Sequence, residues 1–409
     1  MMSKLRRVSQ RVLSEGNSGG QKVWSEIIKL AQGPNIVCDL GQGFPDFEGT
    51  KIARDEACRV VQENPRLNQY SPVPGTRNLR EALADHWNKD AGIPAEAKVD
   101  VDLNVVVVTS ATEAIYAAMQ AIVDPGDEVI IFEPYFPWYL PAVKMAGGKP
   151  ITLTLRPPGF GIDFEELENA ITDKTKLIMF NSPHNPTGHV ATAEEISKLA
   201  ELVVRKDLLC ISDEVYEAFV FNPMKHIRLA HEKGMANRTL TLGSSSKLFS
   251  LTGWRVGWVF GPPDIVSAVS SLHAYNSYCA PTPFQEGSAV AIRDLDKGPD
   301  SIVSKEVAQL GSQFQENARR LGAALEAAGA EVIYPDGGYF LVCDTRKTGK
   351  NDVEFARWMA TAKGVVCVPM SVFHNNVDAP DYLVRFAICK KPETIDAAVK
   401  AITGPDITA

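Results

Sequence analysis

The sequence contains neither a Cys-x-x-Cys pair nor a His-Glu-x-x-His, so no zinc ribbon, dithiol redox motif or zincin site is written into it. Its seven cysteines, Cys38, Cys58, Cys210, Cys279, Cys343, Cys367 and Cys389, are scattered and odd in number. That speaks against a disulfide framework and reads as reduced core thiols of an intracellular protein. The seven histidines are as dispersed, and His184 and His189 flank a Pro/Gly turn instead of sharing a helix face, so no structural metal is expected. Long apolar runs are missing: none approaches the roughly 18 residues that span a bilayer. Positive charge is also short, with Lys+Arg 42 against Asp+Glu 50 and a net charge of -8, which argues against nucleic acid or membrane as a partner. Any anionic ligand must therefore meet a local basic site. Repeats, low-complexity tracts and charged tails are absent too. What remains is a globular composition, 45% hydrophobic and 22% charged. Its 409 residues are enough for two or three domains.

Near the N-terminus, Lys4, Arg6, Arg7 and Arg11 stand against one acid, Glu15. This suits a transit peptide or, with the Gly/Ser spacing through Gly20, an extended arm, the reading preferred here for residues 1-30. The middle of the chain alternates short β-rich runs with helical patterns, as βαβ units and a largely parallel sheet require. The expected strands are Val105 to Thr109, Glu128 to Phe132, Lys176 to Asn181, Leu208 to Asp213, Thr239 to Leu242 and Val256 to Phe260. Polar or Gly/Pro clusters follow several of them, and carboxyl ends of such strands are where ligands bind. Beyond about residue 300, Val307, Leu310, Phe314, Leu321 and Leu325 predict a long amphipathic helix ending near Gly329. Strands at Tyr339 to Cys343, Val365 to Pro369 and Leu383 to Ile388 and a helix after Pro392 complete a smaller α+β unit.

Taken singly, the polar features at these strand ends are weak. Asp213 fits a cap or salt bridge, Lys247 a solvated loop lysine after Gly243-Ser244-Ser245-Ser246, and Arg255, between glycines that allow close backbone approach, could grip an oxyanion but is weak evidence by itself. Asn181 to Gly188 fits a simple turn. Two acyl-transfer patterns fail on context. Gly16-Asn17-Ser18-Gly19-Gly20 matches Gly-x-Ser-x-Gly without the strand and helix of a nucleophile elbow, and Ser244-x-x-Lys247 has its Ser-Asp-x partner upstream rather than downstream.

Their ordered joint occurrence carries far more. Asn185, Asp213, Tyr216, Lys247 and Arg255, in that order at successive strand ends, resemble the class I, fold-type I aminotransferases that use pyridoxal 5'-phosphate, and the resemblance covers nearly the whole chain, from Trp24 to Arg385. Leu40-Gly41-Gln42-Gly43-Phe44-Pro45-Asp46-Phe47, Leu67-Asn68-Gln69-Tyr70, Glu133-Pro134-Tyr135-Phe136 and Ser371-Val372-Phe373 resemble the branch of kynurenine aminotransferase, glutamine transaminase K and cysteine-S-conjugate β-lyase. The resemblance implies an α/β fold. A large cofactor domain (49-299) would hold a mostly parallel mixed sheet between helices, and a smaller α+β domain would join 31-48 to 300-409, so that Gly43 and Arg385 meet.

It also implies roles. Lys247 would bond covalently to the cofactor and move the substrate's proton, Asp213 would face the pyridine nitrogen, and Tyr216 and Asn185 its phenolic oxygen. Asn185-Pro186 would be cis. Ala111, Thr112, Ser244 and Arg255 would hold the phosphate, Phe136 would stack on the ring, and Tyr70 would reach the phosphate from a neighbouring subunit of a homodimer with shared active sites. Arg385, with Gly43 and Asn185, would take the substrate carboxylate. Trp24, Phe136, Tyr278, Phe340 and Phe373 would line a side-chain pocket. No arginine lies between Val256 and Ile292 to answer a second carboxylate. The implied reaction is ping-pong transfer from glutamine, methionine, phenylalanine or kynurenine to a 2-oxo acid, with β-lyase side activity. Aspartate or alanine specificity, or a non-catalytic regulator, are the alternatives. A cytoplasmic location is expected, a mitochondrial one being the alternative. Two departures stand out: Tyr278-Cys279 replaces an aromatic-histidine pair, and Ser110-Ala111-Thr112 replaces a more glycine-rich turn.

Overall fold

Four consecutive valines, Val105 to Val108, are fully shielded, which is how a strand covered on both faces by helices must read. The computed structural model describes residues 19–407 except 91 and 377. Its strands in chain order are β1 (Cys38–Asp39), β2 (Val105–Val108), β3 (Glu128–Glu133), β4 (Lys149–Thr154), β5 (Thr175–Asn181), β6 (Leu209–Asp213), β7 (Thr239–Ser244), β8 (Gly257–Phe260), β9 (Glu331–Ile333), β10 (Phe340–Asp344), β11 (Val365–Val366), β12 (Val368–Pro369) and β13 (Leu383–Ala387).

A seven-stranded sheet runs β2-β8-β7-β6-β5-β3-β4. Only β8 is antiparallel to its neighbours. The carboxyl ends of β2, β3, β5, β6 and β7 therefore meet the amino end of β8 along one edge, and the expected α/β class is the one found. A second sheet, β12-β13-β10-β9, is antiparallel throughout. β1 pairs in parallel with β11, and Leu40 is stitched to both Val366 and Ala387. The segment that follows Leu40 is thereby laid beside β13, which carries Arg385.

Several expectations need correction. Gly19–Leu30 is a helix rather than part of an extended arm, because Val23, Trp24, Ile27 and Leu30 share a face that packs on the core. The basic segment before it, with most of the Gly-x-Ser-x-Gly match, lies outside the described residues. Strand β4 went unforeseen: it is an edge strand with an exposed first residue and a proline second, which weakens the strand signal. Val365 to Pro369 is two strands that break at Cys367 to serve different sheets. The long helix is Ile302–Ala327, and Gly329 follows at φ 90, as a left-handed terminus requires. The core-thiol reading holds for five cysteines, whereas Cys58 is exposed and Cys279 half-buried.

One half-buried histidine couples this fold to pH. His189 Nε2 lies 3.2 Å from the Glu195 carboxylate and Nδ1 3.6 Å from Asp336. Burial opposes its charge, but hydrogen bonds to Asp336 and Glu195 raise the imidazole to about 9. A raised histidine stabilises the fold fully below its unfolded value of about 6.5 and loses that contribution as pH climbs through the folded value. Stability is expected to fall by on the order of 2 kcal/mol between about pH 7 and pH 10, and His189→Gln to remove that slope. Parallel curves of thermal midpoint against pH for the two proteins would show that the ion pairs contribute nothing.

Candidate active site

At the shared sheet edge lies a cavity of about 310 Å³. It is lined by Lys247, Asp213, Tyr216, Asn185, Ser244, Arg255, Ala111, Thr112, Phe136, Trp24, Gly43, Phe340, Phe373 and Arg385, all of them expected from sequence. The Asn185–Pro186 peptide is cis.

The charges in this cavity are left unmatched. Arg385 is 4% exposed and donates to the Asn185 side-chain oxygen at 3.0 Å and the Gly41 carbonyl at 2.9 Å, both neutral. Its Nε has no partner, and burial pushes its pKa down to about 10. A buried guanidinium without a carboxylate is costly, so its setting calls for an anion. Among the described residues Lys247 Nζ donates only to the Gly43 carbonyl at 2.8 Å; burial foremost, with help from Arg385 and Arg255, lowers it to about 8. Asp213 is the inverse case. Desolvation raises it to about 6 although Tyr139 Oη donates to Oδ2 at 2.7 Å and the Val215 amide to Oδ1 at 3.3 Å. No cation among the described residues lies within ion-pair distance of it, so it calls for one.

Backbone shape builds the other end. The helix Ser110–Ile122 opens onto the cavity, where its first amides lack intrahelical acceptors and favour an anion. Gly257 packs against this turn so closely that an added Cβ would sit 2.6 Å from the Ala111 nitrogen. Arg255, just before it, is left-handed at φ 55 and brings its guanidinium to the same end. At the substrate end Gly43 is equally constrained, since a Cβ there would sit 2.4 Å from the Phe340 ring. Arg385 lies over Phe340 at 3.9 Å and Phe373 at 4.7 Å, and Trp24 meets Phe373 edge-on at 5.9 Å.

The placement of one aromatic differs from expectation. Tyr278, expected in the side-chain pocket, lies outside this chain's cavity; left-handed at φ 69 and half-exposed, it packs on the ring of Tyr70 at 5.1 Å. Tyr70 is 81% exposed and does not line its own chain's cavity. Lys247 sits on a one-turn helix, Ser245–Leu248, and not in a loop, because β7 continues through Ser244. Ser244 Oγ is engaged by the Val256 carbonyl and the Ser246 amide, whereas the Ser246 hydroxyl is buried, unpartnered and at the cavity.

Sequence reasoning passed over Tyr139, Asn181 and Ser246. Tyr139 ends an aromatic run begun at Tyr135, a signal read only as far as Phe136. Asn181 accepts from the Asn185 amide at 2.8 Å and donates to the Asp213 carbonyl at 2.7 Å, joining two strand ends.

Pyridoxal phosphate fits this donor set. Its phosphate would face Arg255, the Ser246 hydroxyl and the helix amides, and its protonated nitrogen would answer Asp213. Arg385 would remain for a substrate carboxylate.

The family model described as aminotransferase class I and II matches residues 35–402. The structure of N-succinyldiaminopimelate aminotransferase from Mycobacterium tuberculosis superposes with a TM-score of 0.89 at 36% identity, over 97% of this chain and 99% of that one. Kynurenine--oxoglutarate transaminase 3 of Rattus norvegicus is 35% identical over 404 residues, covering 92% of this chain and 87% of the relative. The structure of YbdL from Escherichia coli, described with a methionine aminotransferase function, has a TM-score of 0.88 at 30% identity, over 97% of this chain and 100% of that one.

Proposed function

This chain belongs to the class I and II aminotransferases, which depend on pyridoxal phosphate, and from that premise we propose that its donor is a bulky neutral or aromatic L-amino acid. Glutamine, methionine, phenylalanine and kynurenine are the candidates, with a 2-oxo acid as acceptor. One observation carries the reading. Among the described residues, Arg385 stands alone among rings at the substrate end, and the other guanidinium lining the cavity, Arg255, belongs to the opposite end. A single carboxylate is thus answered and an apolar side chain is housed. Substrates with a second carboxylate, such as aspartate or an N-succinylated diamino acid, find no further arginine among the described residues of this chain's lining.

Pyridoxal phosphate, when bound, withdraws the electrons left at the amino acid's Cα. The residues around it do the rest. Lys247, lowered toward neutrality by burial, is the base that takes the Cα proton. Asp213 holds a proton on the pyridine nitrogen. Arg385 fixes the carboxylate and thereby the direction of the labile bond. Phe340 and Phe373 exclude water from that end. A β leaving group on the substrate would allow elimination, the proposed side activity. The exposed Tyr70 fits a second subunit's cavity, so a homodimer with shared sites belongs to the proposal.

Rapid mixing of the loaded protein with single amino acids, followed through loss of its visible absorbance band, tests the specificity. Glutamine, methionine, phenylalanine and kynurenine are expected to react faster than aspartate by about 10²-fold, the discrimination expected where a buried charge is left unpaired. Faster reaction with aspartate would overturn it.

A further inference from the structure

Ser110 opens the cofactor-side turn at φ 80, a left-handed geometry that side chains resist and glycine accepts. A buried carboxylate beneath it explains how a serine is held there. Glu113, 7% exposed, receives four donors. Its Oε2 accepts from the Thr109 amide at 2.5 Å and from His273 Nδ1 at 2.9 Å. Its Oε1 accepts from Asn276 Nδ2 at 2.8 Å and from Ser277 Oγ at 2.6 Å. Thr109 Oγ1 also reaches Ser277 Oγ at 3.1 Å.

These contacts tie the start of the helix Ser110–Ile122 to the end of the helix Pro263–Asn276. Thr109 precedes Ser110, so fixing its amide fixes the peptide that enters the left-handed residue. We propose that Glu113 and its donors His273, Asn276 and Ser277 are positioning residues that hold the Ser110 to Thr112 turn in the shape receiving the cofactor phosphate. The inference rests on pyridoxal phosphate being the ligand of this cavity. A carboxylate so near an anion site would ordinarily repel it, but four donors absorb its charge. Burial opposes ionisation, yet the bonds from His273, Ser277 and Asn276 hold the carboxyl at about 2, so it stays an acceptor at neutral pH. Glutamine in its place would turn an NH2 group toward two donors and free the turn.

Apo-protein titrated with pyridoxal phosphate, and separately with pyridoxal, gives a direct test through quenching of intrinsic fluorescence. In Glu113→Gln the dissociation constant for pyridoxal phosphate is expected to rise about tenfold, while that for pyridoxal, which lacks the phosphate, stays within about twofold. Adding Ser110→Gly to this variant is expected to restore most of the loss, because glycine holds a left-handed φ unaided. Unchanged affinity, equal loss for both ligands, or no rescue would each overturn the proposal. If far-ultraviolet circular dichroism shows Glu113→Gln unfolded, Ser277→Ala is titrated instead, and wild-type selectivity there would overturn it. A wild-type protein that does not prefer pyridoxal phosphate over pyridoxal would sink the cofactor reading, a result distinct from failure of the variant.

Discussion

Lys247→Ala is expected to lower single-turnover amino transfer on the order of 10⁴-fold or more, with the visible band of the loaded wild type missing. The size follows from having no substitute. Among the described residues Lys247 is the one lysine lining the cavity, and its amine lies 5.6 Å and 5.2 Å from the ring centroids of Tyr216 and Tyr339. Tyr339 Oη also donates to the Lys247 carbonyl at 2.8 Å, so the backbone beneath the amine is fixed. Burial sets its acidity: at about 8, an appreciable fraction of the amine is already the free base at neutral pH. The rate at which apo-protein takes up pyridoxal phosphate should therefore rise with pH and level off above about pH 8. Stopped-flow absorbance measures both effects. A band that persists in the alanine variant would show that another group makes the covalent bond.

Some of this site could be read from the sequence because parallel strands end where chemistry begins. Asp213 closes an apolar run, and Ser244 and Asn185 lie in the polar clusters that follow two others, so periodicity located the edge they share. What escaped was geometry that periodicity does not encode. Ser244 reads as a loop residue because Gly243 ends its apolar pattern, yet β7 continues to it by pairing with β8. Tyr139 opens a short helix and donates its hydroxyl to Asp213 across 74 positions of sequence, a contact with no local signature. β4 and β9 lie at sheet edges, where half-exposed strands lose their apolar mark. Tyr278 looked like a pocket aromatic, but its left-handed backbone turns the chain so that it packs on Tyr70 instead. Arg385 was legible as an alternation on a strand, and its isolation from carboxylates only in three dimensions.

Asp213→Asn is expected to leave the cofactor bound and covalently linked while lowering amino transfer on the order of 10³-fold. The phosphate end and Lys247 are untouched by the change, so retention should survive. What is lost is a negative charge in a fully buried place, and there a charge is worth far more than in water. Asparagine can still accept from the Tyr139 hydroxyl, so shape is preserved and the electrostatic contribution is isolated. The Tyr139→Phe variant then separates two effects that Asp213→Asn merges. Burial already raises Asp213 to about 6, with the Tyr139 hydrogen bond acting downward. Removing that donor raises Asp213 further, so the acidic limb of the pH-rate profile should move to higher pH in Tyr139→Phe. In Asp213→Asn there is no carboxyl left to titrate, and this part of the limb should vanish. Nitrogen-15 NMR of the bound cofactor gives an independent reading, since the ring nitrogen should be protonated in wild type and neutral in Asp213→Asn. An asparagine variant with wild-type rate and a protonated ring would mean that the buried charge at the end of β6 serves packing and not the reaction. The unmatched setting of that carboxylate, held at the cavity without a cation, would then have no chemical purpose.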